Sequence, residues 1–466
     1  MSQIPTLRLK SQARACRDAL TEVFQSVLIE HRPADRTLSA FLRSNHKYGS
    51  RDRQLISESI FAVFRWWGVL RKLLKPALLE ELEKKHVEVE IQSHNPAWDI
   101  PDKTFAAIFL GAWILERREL PEAADVWVND LNFDFSNLRR TGLDRYSSLD
   151  LLIPGVIAAL AQAADFKNVT PATIEQLLPE WVYPFLPQGV NNLELIKWFQ
   201  QRPPMWLRAQ CDDIDGLIRK LKNQGLSIQR HANIQKAVCV ENAKVNLYSL
   251  EEFRGGLFEV QDLASQVIGL TCSPKPGERW WDACAGAGGK TLQLADMMQR
   301  KGSVVATDIR EYKLDDLRKR ARRAGFPNIM CKEWDGKALR KKQQENFDGV
   351  LVDSPCSCSG TWRRNPDARW TTSQDEIAEM AELQLRILNN ASSGVKKGGT
   401  LVYATCSIFA GENTGVVEQF LAQNPEYALE SFTNPMNGEK TDGTVQVFPW
   451  DGNCDAMFAA RFRRKS

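Results

Sequence analysis

Two cysteines, Cys356 in the run LVDSPCSCSG and Cys406 in LVYATCS, each follow an apolar, strand-like segment. A thiol at the carboxyl end of a parallel strand faces the crevice where open α/β sheets bind ligands. Both thiols lie downstream of a glycine-rich turn, Asp282-Ala283-Cys284-Ala285-Gly286-Ala287-Gly288-Gly289-Lys290-Thr291. Together these features point to nucleophilic chemistry beside a bound nucleoside cofactor. A single cysteine is more often an inert small hydrophobe, so it is the pairing that carries the expectation. Zinc held by Cys356, Cys358 and Cys406 is disfavoured, because Cys-Ser-Cys is an unusual ligand spacing and no fourth ligand is evident nearby. No metal is expected.

Glycines at 286, 288 and 289 follow an apolar strand and precede a helix from Lys290 to Met298. Such a turn brings backbone N–H groups close to a ligand, and the helix N-terminus adds a positive field. It is not a nucleoside-triphosphate loop, because Cys284 stands where the first glycine belongs, nor a dinucleotide fingerprint, because Thr291 replaces the third glycine. What remains is a nucleoside-binding turn. Asp308 ends the next strand, about 20 residues on, and is placed either to accept hydrogen bonds from ribose hydroxyls or to cap the helix that follows.

These residues need elements to hold them. From Gly277 onward strand and helix alternate, with strands at Arg279 to Ala283, Ser303 to Thr307, Ile329 to Lys332, Phe347 to Val352 and Thr400 to Thr405. That alternation predicts a doubly wound parallel sheet. A small α+β module precedes it, with a helix over Ile214 to Gln224 and short strands at Ala237 to Glu241 and Phe258 to Gln261. Upstream, prolines 171, 179, 184 and 187 punctuate a linker that leads to a helix from Asn192 to Gln201. The N-terminal part is helical: Ala15, Ala19, Val23 and Val27, then Leu38, Phe41 and Leu42, then Leu55, Ile56, Ile60, Val63 and Phe64 recur at helical spacing. Further helices are expected at Thr104 to Glu116 and Leu149 to Ala164, with loops or short elements over Val87 to Pro101 and Val126 to Ser148. The domains are therefore expected at 1–165 (all-α), 166–265 (linker helix and small α+β module) and 266–466 (α/β).

The chain has 466 residues and a net charge of only +3. Its charge is patterned, with acidic residues near 80–90 and 116–134 and a basic loop at Arg43 to Arg53, followed by Arg65, Arg71 and Lys72. That loop is either a solvated face or a phosphate-contacting patch. The ten cysteines lack even spacing and accompany no signal peptide, so they read as reduced thiols. The longest apolar run, Leu151 to Ala164, is shorter than the ~20 residues a membrane helix requires. A cytoplasmic location and a monomer are the default expectations.

The order DACAGAGGKT, VVATDIR, EWDG, FDGVLVDSPCSCSGTWRRNPDARW and GGTLVYATCS, followed by Glu412-Asn413, resembles the S-adenosylmethionine-dependent RNA cytosine-5 methyltransferases, the RsmB/Nop2/NSUN family. The resemblance covers roughly residues 175 to 464. Arg202 to Arg208 and Arg363 to Asp367 look most like the RsmB branch, which acts on small-subunit (16S) ribosomal RNA. The N-terminal helices with Ser50-Arg51-Asp52-Arg53 are similar to that branch's NusB-like RNA-binding domain. The resemblance implies a Rossmann-like domain that uses S-adenosyl-L-methionine and has RNA as its partner. It implies that Cys284, Ala285, Gly286, Ala287, Gly288, Gly289, Lys290, Asp308, Asp335 and Asp353 line the cofactor and target-base site. Cys406 is then the attacking thiol and Cys356 the thiol that assists product release, with Asp353 and Lys290 as catalytic neighbours. One departure is Ala287, where the family usually has proline.

Carbon 5 of cytosine is a poor nucleophile until a thiolate adds at carbon 6, which makes covalent catalysis the economical route. The target base must be single-stranded or flipped out to be reached. Trp362, Arg363 and Arg364 either contact that RNA or pack internally. A transfer-RNA methyltransferase is an alternative within the class, and a ribosome-assembly factor with an idle site is the alternative outside it.

Overall fold

The computed structural model describes residues 6–75, 100–136, 147–166, 169–242 and 245–466. The chain forms two compact units. The first comprises Met1–Pro184, Val190–Gln201 and Trp362–Thr372, and the second Phe185–Gly189, Arg202–Thr361 and Ser373–Ser466.

Helices dominate the first unit: Thr6–Phe24, Ala34–Ser44, Ser50–Leu70, Asp102–Leu115, Ala124–Leu131, Leu149–Ala163 and Asn192–Phe199. The apolar positions read from periodicity supply its core, with Ala19, Val23, Val27, Ile60, Val63 and Phe64 at most 1% exposed or fully covered. Asp102–Leu115 is buried almost all round, which marks it as the central helix. Val126 falls within the helix Ala124–Leu131, whereas 87–99 and 137–146 of the stretches expected as loops lie outside the described residues. The proline-punctuated stretch is no free linker. It forms two short 3-10 turns, Ile174–Leu177 and Glu180–Phe185, with Leu177 and Val182 buried. Among the described residues no helix is long and apolar enough to cross a membrane.

Trp362–Thr372, far away in sequence, completes this unit. The Asp367 carboxylate accepts a 2.9 Å bond from the Ala34 N–H at the start of Ala34–Ser44, where an acidic group satisfies an otherwise orphaned donor. Arg369, fully buried, donates to the carbonyls of Leu177 at 3.0 Å and Phe199 at 3.3 Å, and the Trp370 indole to Phe64 at 2.8 Å.

The second unit carries two sheets. The smaller is antiparallel, in the order β2-β3-β1-β4, from β1 (Met205–Ala209), β2 (Ser227–Arg230), β3 (Ala237–Asn242) and β4 (Phe258–Val260). The helix Ile214–Asn223 supplies Leu217 and Leu221 to its core. Strands β1 and β2 were not legible from periodicity.

The larger sheet runs β10-β12-β9-β8-β5-β6-β7, with β11 beside β12. Its strands are β5 (Arg279–Asp282), β6 (Ser303–Asp308), β7 (Ile329–Glu333), β8 (Phe347–Asp353), β9 (Val395–Thr405), β10 (Tyr427–Leu429), β11 (Thr444–Val447) and β12 (Met457–Arg464). The five strands expected from sequence are present and parallel. The expectation of a purely parallel sheet is corrected: β10, β11 and β12 add an antiparallel end, with β12 pairing β9 from Phe458↔Thr405 to Arg463↔Thr400. Side chains alternate across it, Trp280, Val304 and Leu351 to one core and Trp281, Val305 and Val350 to the other. From β5 the order proceeds outward through β6 and β7, and from β8 through β9 in the opposite sense. The switch therefore falls between β5 and β8, which is where such sheets open a ligand crevice.

Candidate functional site

A cavity of about 870 Å³ opens at the carboxyl ends of β5, β6 and β8. Its floor is the turn after β5. Gly286 and Gly288 have φ of 53° and 88°, left-handed values that an L side chain adopts only with strain. A Cβ at Gly288 would also lie 2.4 Å from Leu317, so this glycine faces the helix behind the turn instead of the cavity. Every other expected site residue lines the cavity: Cys284 to Ala287, Gly289, Lys290, Asp308, Asp335, Asp353, Cys356 and Cys406. The helix Gly289–Met297 starts at the turn and directs its N-terminal field there.

Arg320 holds the turn from outside. Its guanidinium donates 2.6 Å to the Ala287 carbonyl and 3.0 Å to Glu259, a buried carboxylate on β4. Alanine in place of proline leaves the turn less restrained, and this bond restrains it by other means.

Asp308 accepts four bonds: from the Gly286 N–H at 2.9 Å, and from Arg310 through its N–H at 2.9 Å, its Nε at 2.9 Å and its Nη2 at 3.2 Å. Burial raises its pKa, but the Arg310 and Gly286 bonds outweigh that and hold it below the ordinary carboxyl value. Of the two readings made from sequence, the structure shows a tie to the next helix, through Arg310 just before it, and Asp308 also braces the turn. Asp335 is exposed and paired with Lys337 at 2.5 Å.

Lys290 donates 2.7 Å to Asp353. Burial lowers the lysine's pKa, and the Asp353 charge and hydrogen bond more than reverse this. Below the turn, Asp282 is 1% exposed; its Oδ2 accepts a 2.6 Å bond from Thr291, while its Oδ1 has no hydrogen-bond partner. Burial raises its pKa to about 7; the Thr291 bond opposes the rise and the Asp353 charge adds to it.

The two thiols expected to act together do converge, with Cys356 and Cys406 sulfurs 3.3 Å apart. A buried carboxylate fixes both loops. Glu412, fully covered, accepts from the Ser357 N–H at 2.9 Å, from the Ser357 and Ser407 hydroxyls at 2.5 Å each, and from Gln384 at 2.8 Å. Cys358 joins the pair, so that all three sulfurs lie within 4.8 Å of one another. The Cys-Ser-Cys spacing does not keep them apart, because Cys358 adopts a left-handed φ of 55°. Cys358, the exposed member, has a pKa held far below the ordinary thiol value by the neighbouring Cys356 and Cys406 thiols. Cys356 is raised by its bonds to Cys358 and Cys406 and by burial. For Cys406 the bond from Cys356 lowers the value, but its bond to Cys358, burial and the charges of Cys358 and Asp353 prevail and leave it raised. Cys284 is pushed well up by burial, which makes it a lining group.

Five of the residues considered for RNA contact are held within the helical unit instead. Trp362 and Arg363 are fully buried in the helical unit, where the Arg363 Nε donates 3.1 Å to Gln201 and its guanidinium lies 5.2 Å from the Trp198 ring centre. Arg65 is also buried, 2.7 Å from Glu116. Lys72 bonds Thr170 at 2.7 Å, and Arg71 lies over Trp370. Sequence reasoning missed Asp282, Ile309, Arg310 and Arg320 as cavity residues. The signal available for Ile309 was its position directly after the acidic strand end; it is 68% exposed, unusual for isoleucine.

A switch-point cavity floored by a glycine turn, with an acid at the end of the second strand, defines a Rossmann-like nucleoside-binding domain. Residues 269–463 match the family model described as 16S rRNA methyltransferase RsmB/F. Over 313 residues, 66% of this chain and 69% of the relative, the sequence is 35% identical to a ribosomal RNA small subunit methyltransferase B of Klebsiella pneumoniae (strain 342). The solved structure of PH0851 superposes with a TM-score of 0.72 at 23% identity, covering 99% of this chain and all of that one. NSun6 from Pyrococcus horikoshii with SFG gives 0.54 at 18% identity, covering 62% of this chain and 98% of that one. The chain belongs to the RsmB/Nop2/NSUN family of S-adenosylmethionine-dependent RNA methyltransferases.

Proposed function

We propose that this protein forms 5-methylcytosine in small-subunit ribosomal RNA, with Cys406 as the nucleophile. The observation that carries this reading is the pair of thiols 3.3 Å apart in the cavity, since methyl transfer to nitrogen or oxygen needs neither. The ribosomal substrate is inferred from the relatives' names.

The cavity suits the cofactor. The turn presents N–H groups at a helix N-terminus, Asp308 offers carboxylate lone pairs to ribose, and Ile309 gives an apolar face to a base. A bound ribose would share this carboxylate with the Arg310 guanidinium, whose side chain is half exposed. S-adenosylmethionine supplies an electrophilic methyl group on a sulfonium.

Cys406, as thiolate, adds to cytosine carbon 6 and pushes electrons to carbon 5, which takes the methyl group. Asp353 bonds the polar edge of the base, and Lys290 keeps that carboxylate oriented. A base then removes the carbon-5 proton; those electrons restore the 5,6 double bond and expel the Cys406 sulfur. Cys356 assists this release, as base or through water. In the protein alone the Cys406 thiol is raised above its ordinary value, and the field of a bound cationic cofactor would favour its thiolate.

The idle-factor alternative rested on Ala287, and the Arg320 bond to its carbonyl removes much of that motive. The helical unit, read as NusB-like, adds RNA affinity through the exposed Arg43, Lys47 and Arg51. Bisulfite sequencing of ribosomal and transfer RNA from cells with and without the gene tests the reading. Loss of one small-subunit cytosine mark supports it, loss of a transfer-RNA mark redirects the substrate, and an unchanged pattern overturns it. Full turnover by Cys406→Ala would overturn the nucleophile.

A further inference from the structure

The methyl-transfer chemistry uses two thiols, and in the cavity a third, Cys358, lies clustered with them. Among the described residues, Cys356, Cys358 and Cys406 are the one group whose ligand atoms are clustered closely enough to hold a metal ion. Zinc–thiolate bonds of about 2.3 Å in a tetrahedral shell place sulfurs roughly 3.8 Å apart. The 3.3 Å between Cys356 and Cys406 and the 4.8 Å limit over all three bracket that spacing, so small side-chain rotations suffice.

The backbone is already arranged for it. Cys358 sits in the left-handed region, held by two 2.9 Å bonds to its carbonyl from the N–H and hydroxyl of Thr361. Its neighbours Ser357 and Ser359 are tied to Glu412 and Ser407 beneath the loop. A glycine or asparagine would be the ordinary choice at such a φ; a cysteine there directs a third sulfur to the other two. Cys358 is exposed and borders the open cavity, which leaves a fourth coordination position to solvent. Thiolate is a soft donor that selects zinc-class cations over magnesium or calcium.

We propose that Cys356, Cys358 and Cys406 together bind one soft divalent cation through three thiolates, and that its binding withdraws Cys406 from methyl transfer. Each thiol that coordinates while protonated releases its proton to solvent, so binding tightens as pH rises. The cation is an inhibitor of the reaction and has no part in its steps. The inhibitory half rests on Cys406 being the nucleophile; the binding half does not.

Cadmium is the probe, because its thiolate complexes absorb in the near ultraviolet. The reduced, metal-free full chain is titrated with Cd²⁺ and, in competition, Zn²⁺, alongside Cys358→Ala and Cys358→Ser, each checked for folding by cofactor binding. The expected result is a saturable band at one equivalent in the wild type, with affinity at least tenfold weaker in both variants. Methyl transfer by the wild type falls with occupancy and returns on chelation, whereas each variant, measured against its own metal-free rate, resists the metal at least tenfold better. Absence of the band, or equal affinity in wild type and variants, overturns the site. Saturation with undiminished methyl transfer overturns the inhibition and the assignment of Cys406 as nucleophile, while the bound-metal band still stands.

Discussion

Residues 356–361 and 362–372 are consecutive in the chain and equally rich in groups that invite a functional reading, yet they do opposite work. The first half brings thiols into a cavity, Cys358 exposed and Cys356 half-covered. The second half belongs to the helical unit and buries Trp362, Arg363 and Arg369 completely. Its arginines spend their donors on backbone carbonyls, satisfying groups that would otherwise be stranded away from water. Basic and aromatic residues beside a catalytic motif are therefore not evidence of nucleic-acid contact unless their polar ends are free.

The largest expected effect is in the first half. Cys356→Ala should abolish turnover while leaving the first addition intact, so that a covalent RNA–protein adduct accumulates on denaturing gels; ordinary turnover would show that Cys356 is only packing. In the second half, Arg369→Ala removes the donor to three carbonyls, those of Leu177, Phe199 and Trp362, and opens a cavity, and should cost about 3 kcal/mol of the helical unit's stability in urea unfolding. Cofactor binding by the folded variant should be unchanged. If it were the reverse, with stability kept and RNA binding lost, the comparison would fail.

Asp282 sharpens the contrast because it is buried and yet sits at the cavity with an unpartnered oxygen. Its carboxyl is raised from 3.8 to about 7, so between these values the unfolded chain has lost a proton that the folded chain retains. Stability from this group is complete below the lower value and declines as pH rises through the window, each pH unit being worth about 1.4 kcal/mol. The stability of Asp282→Asn relative to wild type should therefore improve from pH 4 to 7 and then level off. A difference independent of pH would mean that the carboxyl titrates normally. The smallest effect is expected of Arg320→Ala, which frees the Ala287 carbonyl. It should raise the KM for S-adenosylmethionine about tenfold, roughly 1.4 kcal/mol, with little change in kcat, and Ala287→Pro in the same chain should restore part of the loss. Equal losses in both constants would assign Arg320 a different role.

The central strands were legible because β5, β6 and β8 carry apolar runs that end at an aspartate and β9 carries an apolar stretch, Leu401 to Ala404, after a glycine pair, a pattern that local composition reports. β10 to β12 were not. They are short or alternating antiparallel elements, and β12 is a strand through its pairing with β9 and β11. Likewise the periodicity that marked the helices could not show that Arg65 faces Glu116, 51 residues away.

What the sequence determined by itself is what depends on near neighbours: glycine at the left-handed positions of the turn, an acid at the end of β6, and thiols just past β8 and β9. Steric limits on φ and the strand's twofold period act over a few residues, so they are written locally. Only the tertiary structure decided which arginines are structural, that Glu412 clamps both thiol loops, and that Cys358 joins the other two sulfurs. Burial and hydrogen-bond partnership are properties of contacts between residues tens to hundreds of positions apart, set when the whole core packs, and no window of sequence contains both partners.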